Sequence, residues 1–335
     1  MTGAEPILEV RDLSLSVRTD AGVAHILDHV DFSLMKGEVL GIVGESGCGK
    51  STLIRTVLGL PPRNARIGSG EILFRGENLL ALPARQVAAR IRGRAIGFIP
   101  QDPFLSFNPT FTIGKQMLEI LRWSGLPDEP EGTKWDRQTR DRHRARLVAV
   151  LRAVQIPDPE EALTRYPHEF SGGQRQRILI AGALAARPDV VLADEPTTAL
   201  DVTTQMQILK LLEELARQFD VAMLFVTHDF GVVAQICDRV SVMYAGQTVE
   251  TGTAVDIIDA PKHPYTEMLM ACHPERSDAL VGIPGQVSSP LEPPSGCRFS
   301  PRCPFAEPRC SAGRPPLAGP TGGRRIACAV RGAPA

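Results

Sequence analysis

Apolar and polar positions along this chain follow two periods, and the places where one gives way to the other outline the fold. Residues 7–17 (ILEVRDLSLSV) and 25–34 (HILDHVDFSL) alternate apolar with polar, which predicts two half-buried antiparallel strands joined by a turn at 19–22. Residues 70–76 (GEILFRG) predict a further strand pairing of the same kind. Four short apolar runs, 38–43, 95–100, 189–196 and 222–229, have the length and composition of fully buried strands. Helical patterns lie between them: 51–58 ended by Pro61 and Pro62, an apolar helix 178–187 capped by Ser171 and stopped by Pro188, and an amphipathic helix 203–219. Residues 115–166 are helical and charged, while 101–114 hold too much Pro, Asn and Phe for a regular element. Residues 241–244 and 247–250 close as a hairpin around Ala245 and Gly246. Strands alternating with helices, with polar residues at strand ends, predict an α/β fold with a parallel sheet and a site at its C-terminal edge. From about residue 261 the chain turns to Pro, Gly, Arg and Cys, so a boundary is expected near 255. The roughly 80 residues beyond it need a staple to hold a compact fold.

Between the strand 38–43 and the helix 51–58 stands GESGCGKS, residues 44–51. It fits G-x-x-x-x-G-K-[ST], the Walker A phosphate loop, in the strand–loop–helix setting that the motif requires. Glycines let backbone N–H groups close around phosphate oxygens, and the helix start adds about half a positive charge. Lys50 is expected on the β- and γ-phosphates, an ion contact of about 4 kcal/mol at about 4 Å and intermediate dielectric. Ser51 is expected to ligate Mg²⁺ and Thr52 to hydrogen-bond the α-phosphate, with Gly44, Ser46, Gly47, Cys48 and Gly49 lining the loop. The chain is 335 residues long with a net charge of −1, which points to no nucleic-acid partner. The basic run 137–146 is broken by Asp141 and lacks interleaved aromatics, the pattern of a solvated helix face. No apolar run approaches a membrane span and the N-terminus lacks the pattern of a signal peptide. A cytosolic protein is expected, with any membrane role running through partners.

The motifs that follow, in order, are Gln101, SGGQ at 171–174, VVLADE at 190–195, ALD at 199–201 and His228. Together with the phosphate loop, over residues 5 to about 253, this order resembles the nucleotide-binding subunit of ABC transporters. Residues 101–114 (QDPFLSFNPTFTIG), 165–177 (RYPHEFSGGQRQR) and 263–266 (HPYT) resemble the oligopeptide, dipeptide and nickel importer group. The resemblance implies a nucleotide-binding domain over 5–254, with a parallel sheet core, an antiparallel β subdomain and a helical subdomain near 101–187. A loop-rich importer-type extension would occupy 255–335. It implies ATP as ligand and ATPase activity. Asp194 and Gln101 would join Ser51 around Mg²⁺, Glu195 would polarise the attacking water, and His228 would orient the γ-phosphate. Ser171, Gly172, Gly173 and Gln174 would close over the nucleotide of a second, related ATPase chain, with Asp201 at the same junction. The further partners implied are two polytopic membrane subunits, met through residues 101–114, and an extracytoplasmic substrate-binding protein. The location implied is the cytoplasmic face of the membrane, and the function is ATP-driven import of peptides. Nickel or another small solute is the alternative cargo. A soluble ABC ATPase acting on nucleic acid or ribosomes is the competing class, disfavoured by the single Walker A and single signature.

Four of the seven cysteines, Cys297, Cys303, Cys310 and Cys328, crowd the end of the chain. Four thiolates suit a zinc ion or an iron–sulfur cluster, with free thiols as the remaining alternative, and the absence of any Cys-x2-Cys weakens zinc. The arrangement resembles the C-terminal region of peptide-importer ATPases, which implies a [4Fe–4S] cluster. Cys48 is expected simply to fill its loop position, and Cys237 and Cys272 to be packing or surface residues. One position departs from the family pattern: no aromatic residue lies between Leu8 and His29 to stack on adenine, and only Val17 and Arg18 stand at the end of the first strand. Modest base discrimination is therefore expected. In competitive binding to the purified chain, ATP and GTP should differ by less than about a hundredfold, and a larger adenine preference would refute the reading.

Overall fold

The alternating segments form β1 (Leu8–Thr19) and β2 (Gly22–Leu34), paired antiparallel from Leu8 opposite Leu34 to Thr19 opposite Gly22. Leu8, Val10, Leu13 and Leu15 are buried, and the step of three from Val10 to Leu13 coincides with a register shift at Asp12, whose φ is 49°. An extra residue at that point keeps the apolar series on one face. β3 (Val39–Val43) is buried at every position and leads into the helix Lys50–Val57. β4 (Ala65–Phe74) and β5 (Glu77–Asn78) complete an antiparallel sheet of order β2-β1-β4-β5.

The computed structural model describes residues 5–130, 132–272, 282–320 and 323–332. It divides into two compact units, Met1–Leu80 with Phe225–Ala335, and Ala81–Leu224. In the second unit β6 (Ile96–Ile99) and β7 (Val190–Asp194) pair in parallel, from Ile96 opposite Val190 to Ile99 opposite Ala193. β8 (Ala222–Thr227) starts beside β7, where the Ala222 N–H donates to the Asp189 carbonyl at 3.0 Å. The helices Ile113–Ser124, Arg137–Ala153, Gly172–Leu184 and Val202–Phe219 are N-capped by the side chains of Thr112, Asp136, Ser171 and Asp201. The third begins at Gly172, six residues ahead of the expected apolar stretch. Ser171 and Gln174 form a reciprocal capping box there, which offsets the poor helix propensity of two glycines. The basic run lies on the helix Arg137–Ala153, where Arg142 pairs with Asp128 and Arg146 donates to the carbonyls of Leu184 and Ala185.

Back in the first unit, β9 (Arg239–Tyr244) runs parallel to β3 and antiparallel to β10 (Gln247–Thr253), which pairs with β11 (Arg325–Ile326). Structure therefore continues past residue 255, with helices Ala254–Asp259 and Pro264–Ala271 and the added strand β11. The described part of the C-terminal segment packs on the residues before it. Phe299 packs on Tyr244 and Tyr265 with centroids 5.1 and 5.4 Å apart, and all three rings are buried. Among the described residues no helix is long and apolar enough to cross a membrane.

His263 is buried against this aromatic group, and its Nδ1 accepts the Tyr265 N–H at 3.1 Å, capping the helix Pro264–Ala271. Burial, helped by nearby Arg331, lowers its pKa from 6.5 to about 3. Unfolded histidine takes up a proton that folded His263 refuses until about pH 3, so its contribution falls as pH drops through that window. His263→Asn keeps the cap acceptor and removes the titration. Its melting temperature is expected to fall less steeply than the wild type's between pH 6.5 and 4, and parallel curves would show that His263 titrates normally.

Candidate functional site

The phosphate loop is shaped by close approach of backbone. A Cβ at Gly44 would stand 2.1 Å from the Met243 carbonyl oxygen, so no larger residue fits. Gly47, at φ 81°, faces open space, and Gly49, at φ 104°, caps the helix Lys50–Val57 without any side-chain bond. Those left-handed values require glycine, which brings no side chain of its own to compete for the helix-start amides. Lys50 folds back along the loop, its buried Nζ donating to the carbonyls of Gly44 at 2.7 Å and Glu45 at 3.0 Å. Ser51 and Thr52 are half-buried at the helix start, and Ser46 is exposed. Cys48 fills its position: it is buried, and burial raises its thiol pKa despite the nearby Lys50 ammonium. The loop is also braced from outside. Gly246 N–H donates to the Cys48 carbonyl at 2.9 Å, and the Glu45 N–H to the Tyr265 hydroxyl at 3.0 Å. The Arg302 guanidinium grips the Glu45 carboxylate at 2.9 and 3.3 Å.

In the second unit Asp194 is buried at the end of β7. Glu195 follows it in the left-handed region, at φ 45°. Its Oε2 accepts from Gln101 Nε2 at 3.3 Å and from the Thr198 hydroxyl at 3.0 Å, so the two expected site residues meet through one carboxylate oxygen. A second group forms where two helices start. Asp201 accepts the Thr204 N–H at 2.9 Å and its hydroxyl at 2.7 Å, bonds that hold its carboxyl below the usual range. Ser171 to Gln174 and Asp201 line one cavity of about 320 Å³. Phe104, about half exposed, lies 3.2 Å from where a Cβ of Gly172 would be, and Arg175 covers its ring. His228 is exposed just beyond β8. Val17 is half-buried and Arg18 exposed at the end of β1.

Cys297, Cys303, Cys310 and Cys328 sit in turns whose backbones approach the sulfurs: Glu307 N–H points to Cys310 Sγ at 3.5 Å and Arg331 N–H to Cys328 Sγ at 3.3 Å. Burial first, then the thiols of Cys328 and Cys310, push Cys297 up to about 11 and raise Cys303. Among the described residues, however, no three His, Cys, Asp or Glu side chains are placed to hold a metal ion, so the expected metal site is not formed as such. Cys237 is buried and Cys272 half-buried. Sequence reasoning missed Thr198, Tyr265 and Arg302. Only Tyr265, inside HPYT, carried any signal.

A Walker A loop with a buried Asp–Glu strand end and a second, capped glycine helix start defines an ATP-binding cassette. Residues 27–198 match the family model described as ABC transporter, and residues 249–310 the oligopeptide/dipeptide transporter C-terminal region. A probable peptide ABC transporter ATP-binding protein of Sinorhizobium fredii is 44% identical over 97% of this chain and 95% of its own. The oligopeptide transport ATP-binding protein OppD of Haemophilus influenzae is 45% identical over 91% of each chain. Among solved structures, the dimeric ATP-binding cassette MJ0796 bound to ADP and Pi superposes with TM-score 0.61 and 26% identity, covering 74% of this chain and 98% of that one. CbiO1 of Clostridium perfringens, part of the ABC transporter complex cbiONQ, gives 0.62 and 26%, over 76% and 92%. The chain belongs to the ABC transporter ATPases, in the branch that carries the oligopeptide/dipeptide C-terminal region.

The second helix start is tight enough to test. A Cβ on Gly173 would come 2.7 Å from Thr204 Cγ2, and Thr204 is held in place by Asp201. Gly173→Ala should lower unfolding free energy by about 1–2 kcal/mol in a denaturant titration. Thr204→Ser, which removes the methyl and keeps the hydroxyl, should restore most of the loss. A Gly173→Ala protein as stable as the wild type would contradict this packing.

Proposed function

We propose that the chain is the ATP-hydrolysing subunit of an ABC importer of di- or oligopeptides, with 5–254 as the nucleotide-binding domain and 255–335 as an importer-type extension. The observation that carries this reading is the run of both family regions in one chain, together with 44% identity over 97% of its length to a probable peptide transporter ATPase. Lys50 and the loop amides hold the triphosphate. Ser51, Gln101 and Asp194 supply the hard oxygen ligands that suit Mg²⁺, which would neutralise charge developing on the phosphates. Glu195, oriented by Gln101 and Thr198, takes the proton of the attacking water, and His228 steadies the γ-phosphate. The cavity formed by residues 171–174 and Asp201 offers a capped helix start to the nucleotide of a second ATPase chain.

The exposed side chains of Phe104, Leu105 and Phe111 give residues 101–114 an apolar surface for a membrane subunit. The two membrane subunits, the extracytoplasmic binding protein and the peripheral position at the cytoplasmic face belong to the same proposal. The packing of Phe104 beside Gly172 would carry movement of that surface to the helix start. Cys297, Cys303, Cys310 and Cys328 would hold a [4Fe–4S] cluster, which cross-links loops that have little apolar surface of their own. Amide N–H groups aimed at sulfur support it. A cluster binds each cysteine to a different iron, so it does not need three side chains gathered on one ion, as zinc does.

Four measurements on the purified chain and its assembly test the reading. Glu195→Gln should keep ATP binding and lower turnover by about 10²–10⁴, and substantial residual hydrolysis would reassign the base. Lys50→Ala should lose nucleotide affinity. Ser171→Arg should leave binding by the isolated chain intact and abolish hydrolysis in the assembly; full activity of the isolated monomer would exclude a shared site. An anaerobic preparation without iron and without broad absorbance near about 400 nm would eliminate the cluster.

A further inference from the structure

Glu45 carries a charge that its setting has to offset. It places a carboxylate inside a loop built to receive a triphosphate, where like charge repels the ligand. Its counter-ion comes from the far end of the chain. Arg302 Nη1 lies 2.9 Å from Glu45 Oε2 and Nη2 3.3 Å from Oε1, a two-pronged pair in which the arginine side chain is 4% exposed and the glutamate 27%. The guanidinium is aimed by its other bonds: Nε donates to the Pro284 carbonyl at 3.0 Å, Nη2 to the Ile283 carbonyl at 2.9 Å, and Nη1 to the Tyr244 hydroxyl at 3.4 Å. Its fork is therefore set before the loop is occupied. A second arginine of the same turn braces the loop one step further back. Arg298 donates to the His25 and Ala245 carbonyls and pairs with Asp28 at 3.1 Å, beside the Gly246 N–H that holds the Cys48 carbonyl. Both arginines adjoin cysteines, Cys297 and Cys303.

We infer that Arg302 is a positioning residue for the phosphate loop: it neutralises Glu45 and fixes the loop in its binding form, so the C-terminal extension is part of the nucleotide site. The inference rests on residues 44–51 being that site. Arg302→Met leaves Glu45 uncompensated next to the triphosphate and releases the outer face of the loop.

The experiment is equilibrium binding of a fluorescent ATP analogue, with Mg²⁺, to the purified full chain. Arg302→Met is expected to weaken binding about tenfold, and in the assembly to raise KM with kcat little changed. Combining it with Glu45→Gln removes the stranded charge and should bring affinity back to within about threefold of the wild type, an effect that lost stability alone would not produce. Wild-type affinity in Arg302→Met, or a double variant as weak as the single one, overturns the inference. If Arg302→Met does not fold, Arg302→Lys carries the test. It keeps the charge and loses the fork, so it must weaken binding at least about threefold, and unchanged affinity overturns the inference equally. Lys50→Ala separates the two levels: if it binds the analogue as tightly as the wild type, the site itself has been misassigned, whereas loss there with no loss in Arg302→Met refutes only the role of Arg302.

Discussion

A phosphate-binding loop must leave its amide donors unpaired, and that constraint governs the structure around it. Backbone N–H groups reserved for a ligand cannot also hold the loop together, so support has to come through carbonyls, side chains and packing. The carbonyls of Gly44 and Glu45 are taken by Lys50, and that of Cys48 by Gly246. Gly44 lies so close to Met243 that β9 acts as the floor of the loop. Two loop amides are nonetheless used internally: the Glu45 N–H goes to Tyr265 and the Cys48 N–H to the Glu45 carbonyl, and the Glu45 side chain is held by Arg302. Bracing is thus concentrated at the second residue of the motif. Gly47, where the cradle opens, faces open space.

The helix start at Gly172 meets the same constraint in a different way. A capping box supplies the Ser171 oxygen to the Gln174 N–H, and the glycines between them bring the helix against Thr204 and Phe104. Here the support comes from residues of the same unit, Phe104 in the irregular segment 101–114 and Thr204 in the first turn of the helix Val202–Phe219. Both lie in segments that the proposed function asks to move or to meet another chain. One start is fixed by a distant extension and the other by residues of its own unit.

Much of this was legible in the sequence, because the informative features are local. Glycines at fixed spacing, an apolar run before them and a carboxylate pair at a strand end each occupy fewer than ten residues, and the structure forms strands and a helix at those places. The motif order singled out Gln101, Glu195, 171–174 and Asp201, but the hydrogen bond between the first two and the cavity lined by the others come from the structure alone. Two further features were not legible in the sequence. The helix at Gly172 starts earlier than apolar periodicity suggests, since a capping box overrides two poor helix formers. The extension also looked too poor in apolar residues to fold alone without a staple, a count that ignores borrowed surface: Phe299 finds its partners in Tyr244 and Tyr265, and arginines do much of the joining. Glu45 and Arg302 are separated by 257 positions, and neither carries a local pattern that names the other.

The base end of the site gives this bracing its weight. Val17 is half-buried and Arg18 exposed where a stacking aromatic would stand, so the end of β1 offers little surface to a purine. Affinity then has to come from the phosphate end, where each amide contributes only if the loop is already in place when the ligand arrives. A loop that closed on its ligand from a mobile state would spend part of that interaction on its own ordering. Fixing it beforehand with buried arginines and tyrosines avoids that cost. It also gives a reason for a segment poor in apolar residues to be held so firmly: the extension spans the first unit from the β1–β2 hairpin, through His25 and Asp28, to the loop at Glu45.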